Sequence, residues 1–148
     1  MKNLEEESLQ KFIDASYAVR DAMRQFILRR LKKQKIDLTF EMYQVMRVLF
    51  EYKNLSQVEI AELLKKDKVS ITFILDGLAK RGIVTRQTDP KDRRRNIVNL
   101  TKNAYKIQSK IQMMAKELHE FASRGLNENT LQKITEGLLA MSKSIENK

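Results

Sequence analysis

Apolar residues recur at three- and four-residue intervals along most of the chain, and one central stretch breaks that rhythm. Leu9, Phe12, Ile13, Tyr17, Met23, Phe26, Ile27 and Leu31 share one face of a 3.6-residue repeat, so the spacing predicts a long amphipathic helix over about 9–31. Its end carries Arg29, Arg30, Lys32, Lys33 and Lys35, which suits a solvated helix C-terminus, where cations complement the dipole, or an additional phosphate contact. Thr39 is a good N-cap for a second helix, with Leu38 stapled onto Tyr43 and a core-facing stripe of Tyr43, Met46, Leu49 and Phe50. Asn54 is a plausible stop.

The strongest local signal follows. Ser56-Gln57-Val58-Glu59 has the form of a capping box, in which the serine oxygen and the glutamate carboxylate each satisfy a backbone N–H, and Leu55 can staple onto Ile60. Ile60, Ala61, Leu63 and Leu64 are expected to pack inward. After a break at Lys65-Lys66, Asp67 caps a further helix running to about Arg81. Ile71, Ile74, Leu75 and Leu78 fall at i, i+3, i+4 and i+7 and form its buried stripe. The opposite face then carries Val69, Phe73, Asp76 and Lys80, flanked by Ser70, Thr72 and Gly77. An outward Phe73 meets a ligand surface, such as the thymine methyls of a DNA major groove, folds back on a neighbouring element, or is merely exposed.

At Gly82, suited to a left-handed helix stop, the period changes from helical to extended. Residues 83–88 and 96–100 favour strands, and between them lies the loop Asp89-Pro90-Lys91-Asp92-Arg93-Arg94-Arg95. A two-stranded wing with a basic tip is expected. Asp89 or Asp92 pairs with some of its arginines, leaving another free for a phosphate or a narrow minor groove. Thr101 can then cap a helix with Ala104, Ile107, Ile111, Met114, Leu118 and Phe121 on one seam. After Asn127, with Leu126 stapling onto Leu131, the residues Leu131, Ile134, Leu138, Met141 and Ile145 make another heptad-like seam. These seams serve a dimer interface or ordinary packing within one chain, and the length of the terminal helices favours the dimer.

The predicted fold is mainly α with a small two-stranded β wing: a winged helix-turn-helix plus long terminal dimerisation helices. It reads as one fold over 1–148, with a DNA-binding lobe at 38–101 and helical dimerisation regions at 4–35 and 102–146. Charge sharpens this division. Of a net charge of +10, residues 53–106 hold thirteen Lys/Arg against six Asp/Glu, whereas the flanks are almost balanced. A concentrated positive centre favours an anionic partner, nucleic acid above all. The chain has no cysteine, which removes disulfides, thiol switches and zinc knuckles. Neither a signal peptide nor a membrane span is legible, so a cytoplasmic protein is expected. The sole histidine, His119, has no second metal ligand near it, and there is no phosphate loop or nucleophile motif. No catalytic residue, metal or cofactor is expected.

Leu78, Gly82, Asp92-Arg93-Arg94, Thr101 and Ala104, at their spacing, resemble the multiple antibiotic resistance regulator (MarR) family of bacterial transcription factors, and the similarity extends over nearly the whole chain. The resemblance implies a homodimer, a recognition helix from Asp67 to Arg81, and Arg94 as the wing arginine that enters the minor groove with Asp92 as its orienting partner. DNA contacts are then expected from Gln57, Lys68, Ser70, Thr72, Phe73, Lys80, Arg93, Arg94 and Arg95 on a pseudopalindromic promoter site. The resemblance also implies release by a small phenolic or amphipathic effector, for which Tyr17, Arg20, Tyr43 and Met113 are candidate contacts as well as candidate core or interface residues. Two positions depart from the family pattern: Phe73 stands where many members have arginine or another polar residue, and Ala79 replaces the usual acidic residue after Leu78. The sequence therefore reads as a dimeric sequence-specific repressor, with an architectural DNA-binding protein as the alternative.

Overall fold

The computed structural model describes residues 3–148. Met1 and Lys2, part of the N-terminal stretch read above for a leader, lie outside the described residues. The element order is α1 (Leu4–Lys33), α2 (Phe40–Glu51), α3 (Gln57–Leu64), α4 (Lys68–Lys80), β1 (Val84–Thr88), β2 (Asn96–Leu100), α5 (Lys102–Ala122) and α6 (Glu128–Glu146). The chain forms two compact units, Met1–Ala115 and Lys116–Lys148, whose boundary falls within α5. No helix among the described residues is long and apolar enough to cross a membrane.

The core of the first unit is where the helical rhythm placed it. Helix α2 buries Met42, Tyr43, Val45, Met46, Val48 and Leu49, and α4 buries Ile71, Ile74, Leu75 and Leu78. Ile60 and Ala61 from α3, with Ile83, Val84 and Val98 from the wing, complete it. Leu63 is a correction: it is exposed rather than packed inward. Ile60, Ala61 and Leu64 set the inward direction of this short helix, and at 100° per residue Leu63 lies about 110° round from it. Gly77 leaves room for the terminal methyl of Met42 from α2, which would have to move aside for a Cβ there.

Caps fix the helix starts. Asn3 caps α1 in a capping box with Glu6, a signal the apolar pattern does not carry. Thr39 accepts from the Met42 N–H at 3.1 Å, and Ser56 and Glu59 make the expected reciprocal box at the head of α3. Gly82, at φ +66°, ends α4 with backbone bonds from Gly82 to Ala79 and from Ile83 to Leu78. At the head of α5 the Thr101 hydroxyl accepts only weakly, from Ala104 N–H at 3.4 Å, and donates to the Gly82 carbonyl at 2.6 Å. Its backbone N–H also binds the Ile83 carbonyl at 3.0 Å. Thr101 is thus a clasp between α5 and the end of α4 as much as a cap.

The wing strands pair antiparallel, from Val84 opposite Leu100 to Thr88 opposite Asn96. A short bridge adds Ser56 opposite Ile97, with the Val98 N–H bonded to the Leu55 carbonyl at 2.9 Å. The hairpin is therefore stitched to the residue that starts α3.

The long outer helices bury less than their seams suggest. In α1 only Ile27 and Leu31 are buried, while Leu9 and Tyr17 are exposed. Helix α5 buries Ala104, Ile111, Met114 and Leu118 and leaves Phe121 exposed. In the second unit Asn127 caps α6 through the Thr130 N–H at 2.8 Å. No residue of α6 is buried, and Leu131, Ile134 and Leu138 are each about 40% exposed.

Candidate nucleic-acid interface

The candidate interface is built from α3, α4 and the wing. Lys65 closes α3 in the left-handed region at φ 52°, a conformation uncommon for a residue with a side chain, and this lets the chain turn tightly into α4. Asp67 then caps α4. Its Oδ1 accepts from the Ser70 N–H at 2.8 Å and its Oδ2 from the Ser70 hydroxyl at 2.7 Å, and these bonds hold the carboxyl below the usual aspartate range. The hydroxyl proton of Ser70, expected to reach DNA, is committed to the cap. Thr72 is exposed, and its hydroxyl oxygen accepts from the Gln57 amide across the α3–α4 gap at 3.4 Å.

Val69 and Phe73 are each 79% exposed, one helical turn apart, so Phe73 does not fold back on its neighbours. Lys68 and Lys80 are exposed near the two ends of the same helix. Asp76, the acidic residue of this face, is neutralised by Arg86 from β1. Sequence reasoning missed Arg86. Its position in the strand gave no charge signal beyond the general excess, and its pairing depends on the β1–α4 packing.

At the wing tip the two aspartates shape the turn by accepting backbone hydrogen bonds. Asp89 Oδ1 accepts from the Lys91 N–H at 2.9 Å, and Asp92 Oδ1 from the Arg94 N–H at 3.0 Å. Further bonds from Asp89 N–H to the Arg95 carbonyl (2.8 Å) and from Arg95 N–H to the Asp92 carbonyl (2.9 Å) close the loop. Asp92 therefore holds the backbone of Arg94 and makes no ion pair with its guanidinium.

The three arginines separate cleanly. Arg95 donates from Nη2 to Glu59 Oε1 and Oε2 at 2.8 and 2.6 Å, from Nη1 to Asp89 Oδ2 at 3.1 Å, and to the Asn54 carbonyl at 3.4 Å. The Glu59 and Asp89 carboxylates hold its guanidinium still further above neutrality than usual. In return the Ser56 N–H first, and then Arg95, hold Glu59 below the usual glutamate range. The Lys91 N–H first, and then Arg95, do the same for Asp89. Arg93 and Arg94 are exposed and make no ion pair among the described residues.

A groove of about 480 Å³ gathers Gln57, Lys68, Thr72, Asp92, Arg94 and Arg95 around the space between the wing and the heads of α3 and α4. Ser70, Phe73, Lys80 and Arg93 lie outside its lining. The four candidate effector contacts do not meet there. Tyr43 is buried in the α2 core at 3% exposure, where burial raises its phenol pKa, while Tyr17 and Met113 are 59% and 46% exposed and Arg20 is also exposed. A smaller groove beside Asp37 and Arg81 is lined by none of the four either.

The MarR family model matches residues 38–95, the segment from the start of α2 through the wing tip. Among curated relatives, the chain is 37% identical over 71 residues to the transcriptional regulator HosA of Escherichia coli O111:H-, a match covering 48% of this chain and 53% of HosA. The chain thus spans about half of that relative's length. It is 31% identical over 116 residues to an uncharacterised HTH-type transcriptional regulator, YfiV of Bacillus subtilis (strain 168), covering 76% of this chain and 71% of that protein. Among solved structures, the MepR–DNA complex of S. aureus superposes with a TM-score of 0.77 at 21% identity, over 88% of this chain and 95% of MepR. A mutant MarR from E. coli complexed with operator DNA gives 0.76 at 21% identity, over 95% and 99%. At such identities these likenesses establish the winged helix fold. Together with the family match and the extended similarity to YfiV, they identify the chain as a member of the MarR family of transcriptional regulators.

Proposed function

We propose that this chain is a homodimeric, sequence-specific reader of double-stranded DNA that represses transcription from a pseudopalindromic promoter site in the cytoplasm. The observation that carries the reading is the division of labour at the wing: Arg95 takes the carboxylates of Glu59 and Asp89, which leaves Arg93 and Arg94 unpaired at the tip. An exposed, unpaired guanidinium beside an open groove suits phosphate or narrow minor-groove contact. Arg95 frames the wing instead of touching DNA. The lobe over 38–101 would place α4 in the major groove, with Lys68, Lys80 and Arg93 on phosphates and Gln57, Ser70 and Thr72 at its margin. Two such helices would occupy half-sites about one turn, or ~10 bp, apart. Helices from 4–35 and 102–146 would supply the dimer, which would cover the exposed apolar stripe of α6. MepR and MarR, whose fold this chain shares, have been solved on DNA. Neither groove described above is lined by Tyr17, Arg20, Tyr43 or Met113, so effector release forms no part of the proposal.

Arg94→Ala tests the assignment. Binding to the DNA upstream of the protein's own gene should weaken, and the slope of log affinity against log salt should flatten by roughly 0.9 per lost phosphate contact. Unchanged affinity and slope would remove Arg94 from the interface. Equal affinity for scrambled DNA at physiological salt would replace the sequence-specific repressor with an architectural protein.

A further inference from the structure

Helix α4 has the position of a reading helix and lacks the usual means of reading. Its sequence, KVSITFILDGLAK, contains no Arg, Asn or Gln, and its two lysines, which could also bind guanine edges, stand at its ends. The polar groups it does carry are largely engaged. The Ser70 hydroxyl is donated to Asp67, the Thr72 oxygen accepts from Gln57, and Asp76 is paired with Arg86. Gln57, an amide beside the helix, is itself turned onto Thr72. The outer face of α4 also carries an open apolar pair, Val69 and Phe73, one turn apart and each 79% exposed.

This apolar pair stands in strongly cationic surroundings, with Lys68 beside it, Lys80 two turns beyond Phe73, and Arg93 and Arg94 at the wing tip. A protein partner with an apolar docking surface would not call for that frame of positive charge. A DNA major groove would, because phosphates line its walls while its floor offers one apolar group, the 5-methyl of thymine. We infer that Val69 and Phe73 are the specificity-determining residues of α4 and that they select sites by contact with thymine methyl groups, not by hydrogen bonds to base edges. This rests on the DNA-binding reading above and narrows it: thymine should be required where α4 enters the groove, and the contribution of each contact should reside in its methyl.

The decisive measurement is a scan in which each thymine of a bound site is replaced in turn by deoxyuracil. This removes the methyl and leaves every hydrogen-bonding group in place. Burying one methyl or methylene group corresponds to about a fourfold change in affinity, so one or two positions per half-site should each lose about that factor. With Val69→Ala/Phe73→Ala the same replacements should cost nothing. Both side chains lie on the surface, so the variant's melting temperature should match that of the parent. A wild-type scan that is flat, or a loss that persists unchanged in the double variant, overturns the inference while leaving DNA binding intact. Absence of binding to any DNA would instead overturn the function proposed above.

Discussion

Helices α2 and α6 have similarly spaced apolar residues and reach opposite environments. Six of the twelve residues of α2 are buried and none of the nineteen of α6. Hydrophobic periodicity therefore identifies a face suited to being covered without saying what covers it. For α2 the cover comes from nearby sequence: α3, α4 and the wing return to it within about fifty residues. For α6 the seam of Leu131, Ile134 and Leu138 is left partly open to water. Fully burying an exposed side chain of this kind contributes about 1.5–3 kcal/mol, and at about 40% exposure somewhat under half of that is still to be gained by covering each one.

The contrast is most sharply tested in the core. Leu75 is fully buried on α4, so Leu75→Ala should destabilise the first unit by about 2–5 kcal/mol, measured by urea denaturation. A loss under 1 kcal/mol would mean that the α2–α4 core is not close-packed. Next in size is Leu138→Lys. If α6 faced only solvent, stability would move within about 0.5 kcal/mol and the oligomeric state would not change. A dimer seam instead loses a buried leucine from each copy, and sedimentation should show dissociation together with a lower melting temperature that no longer rises with protein concentration.

The smallest effects belong to the wing. Arg95→Ala should speed amide exchange at residues 88–96 while the melting temperature changes little, because the tip loses the side chain that ties it to α3 and retains the buried hairpin base. Unaltered exchange would show that the backbone bonds alone hold the loop. Acid should act on the same tie. Glu59 is more acidic folded than unfolded, so its contribution is complete above the ordinary glutamate value of about 4.3 and is lost as pH falls through the lower folded value. Glu59→Gln should remove that part of the acid response. An identical pH profile in the variant would place the response elsewhere, Glu41, Asp67 and Asp89 being the other carboxylates between residues 38 and 101 with lowered values.

The winged helix was legible in the sequence because its signals are local. Ser56, Glu59, Asp67 and Gly82 declare their caps and stops within a few residues, and the stripe of α4 fixes which of its side chains point outward. The wing arginines were legible from the residues alone only as a group, and it took the family resemblance to single out Arg94. Arg93, Arg94 and Arg95 are the same residue type in a row, and what separates them is Glu59, thirty-six residues before Arg95 and brought near by the bridge between Ser56 and Ile97. The pairing of Arg86 with Asp76 was hidden for the same reason. Leu63 was misplaced because a two-turn helix offers too few positions to fix its inward direction by spacing alone. For α1 and α6 the periodicity was visible, and the extent of burial was not.

The Thr101 clasp has a mechanical consequence. Its hydroxyl and its N–H engage the carbonyls of Gly82 and Ile83, so the foot of the long helix α5 and the trailing end of α4 share one anchor. A small rotation of α5 about its own axis cannot be absorbed there by a slack linker. It pulls instead on those two carbonyls, directly behind the last turn of the helix that carries Val69 and Phe73.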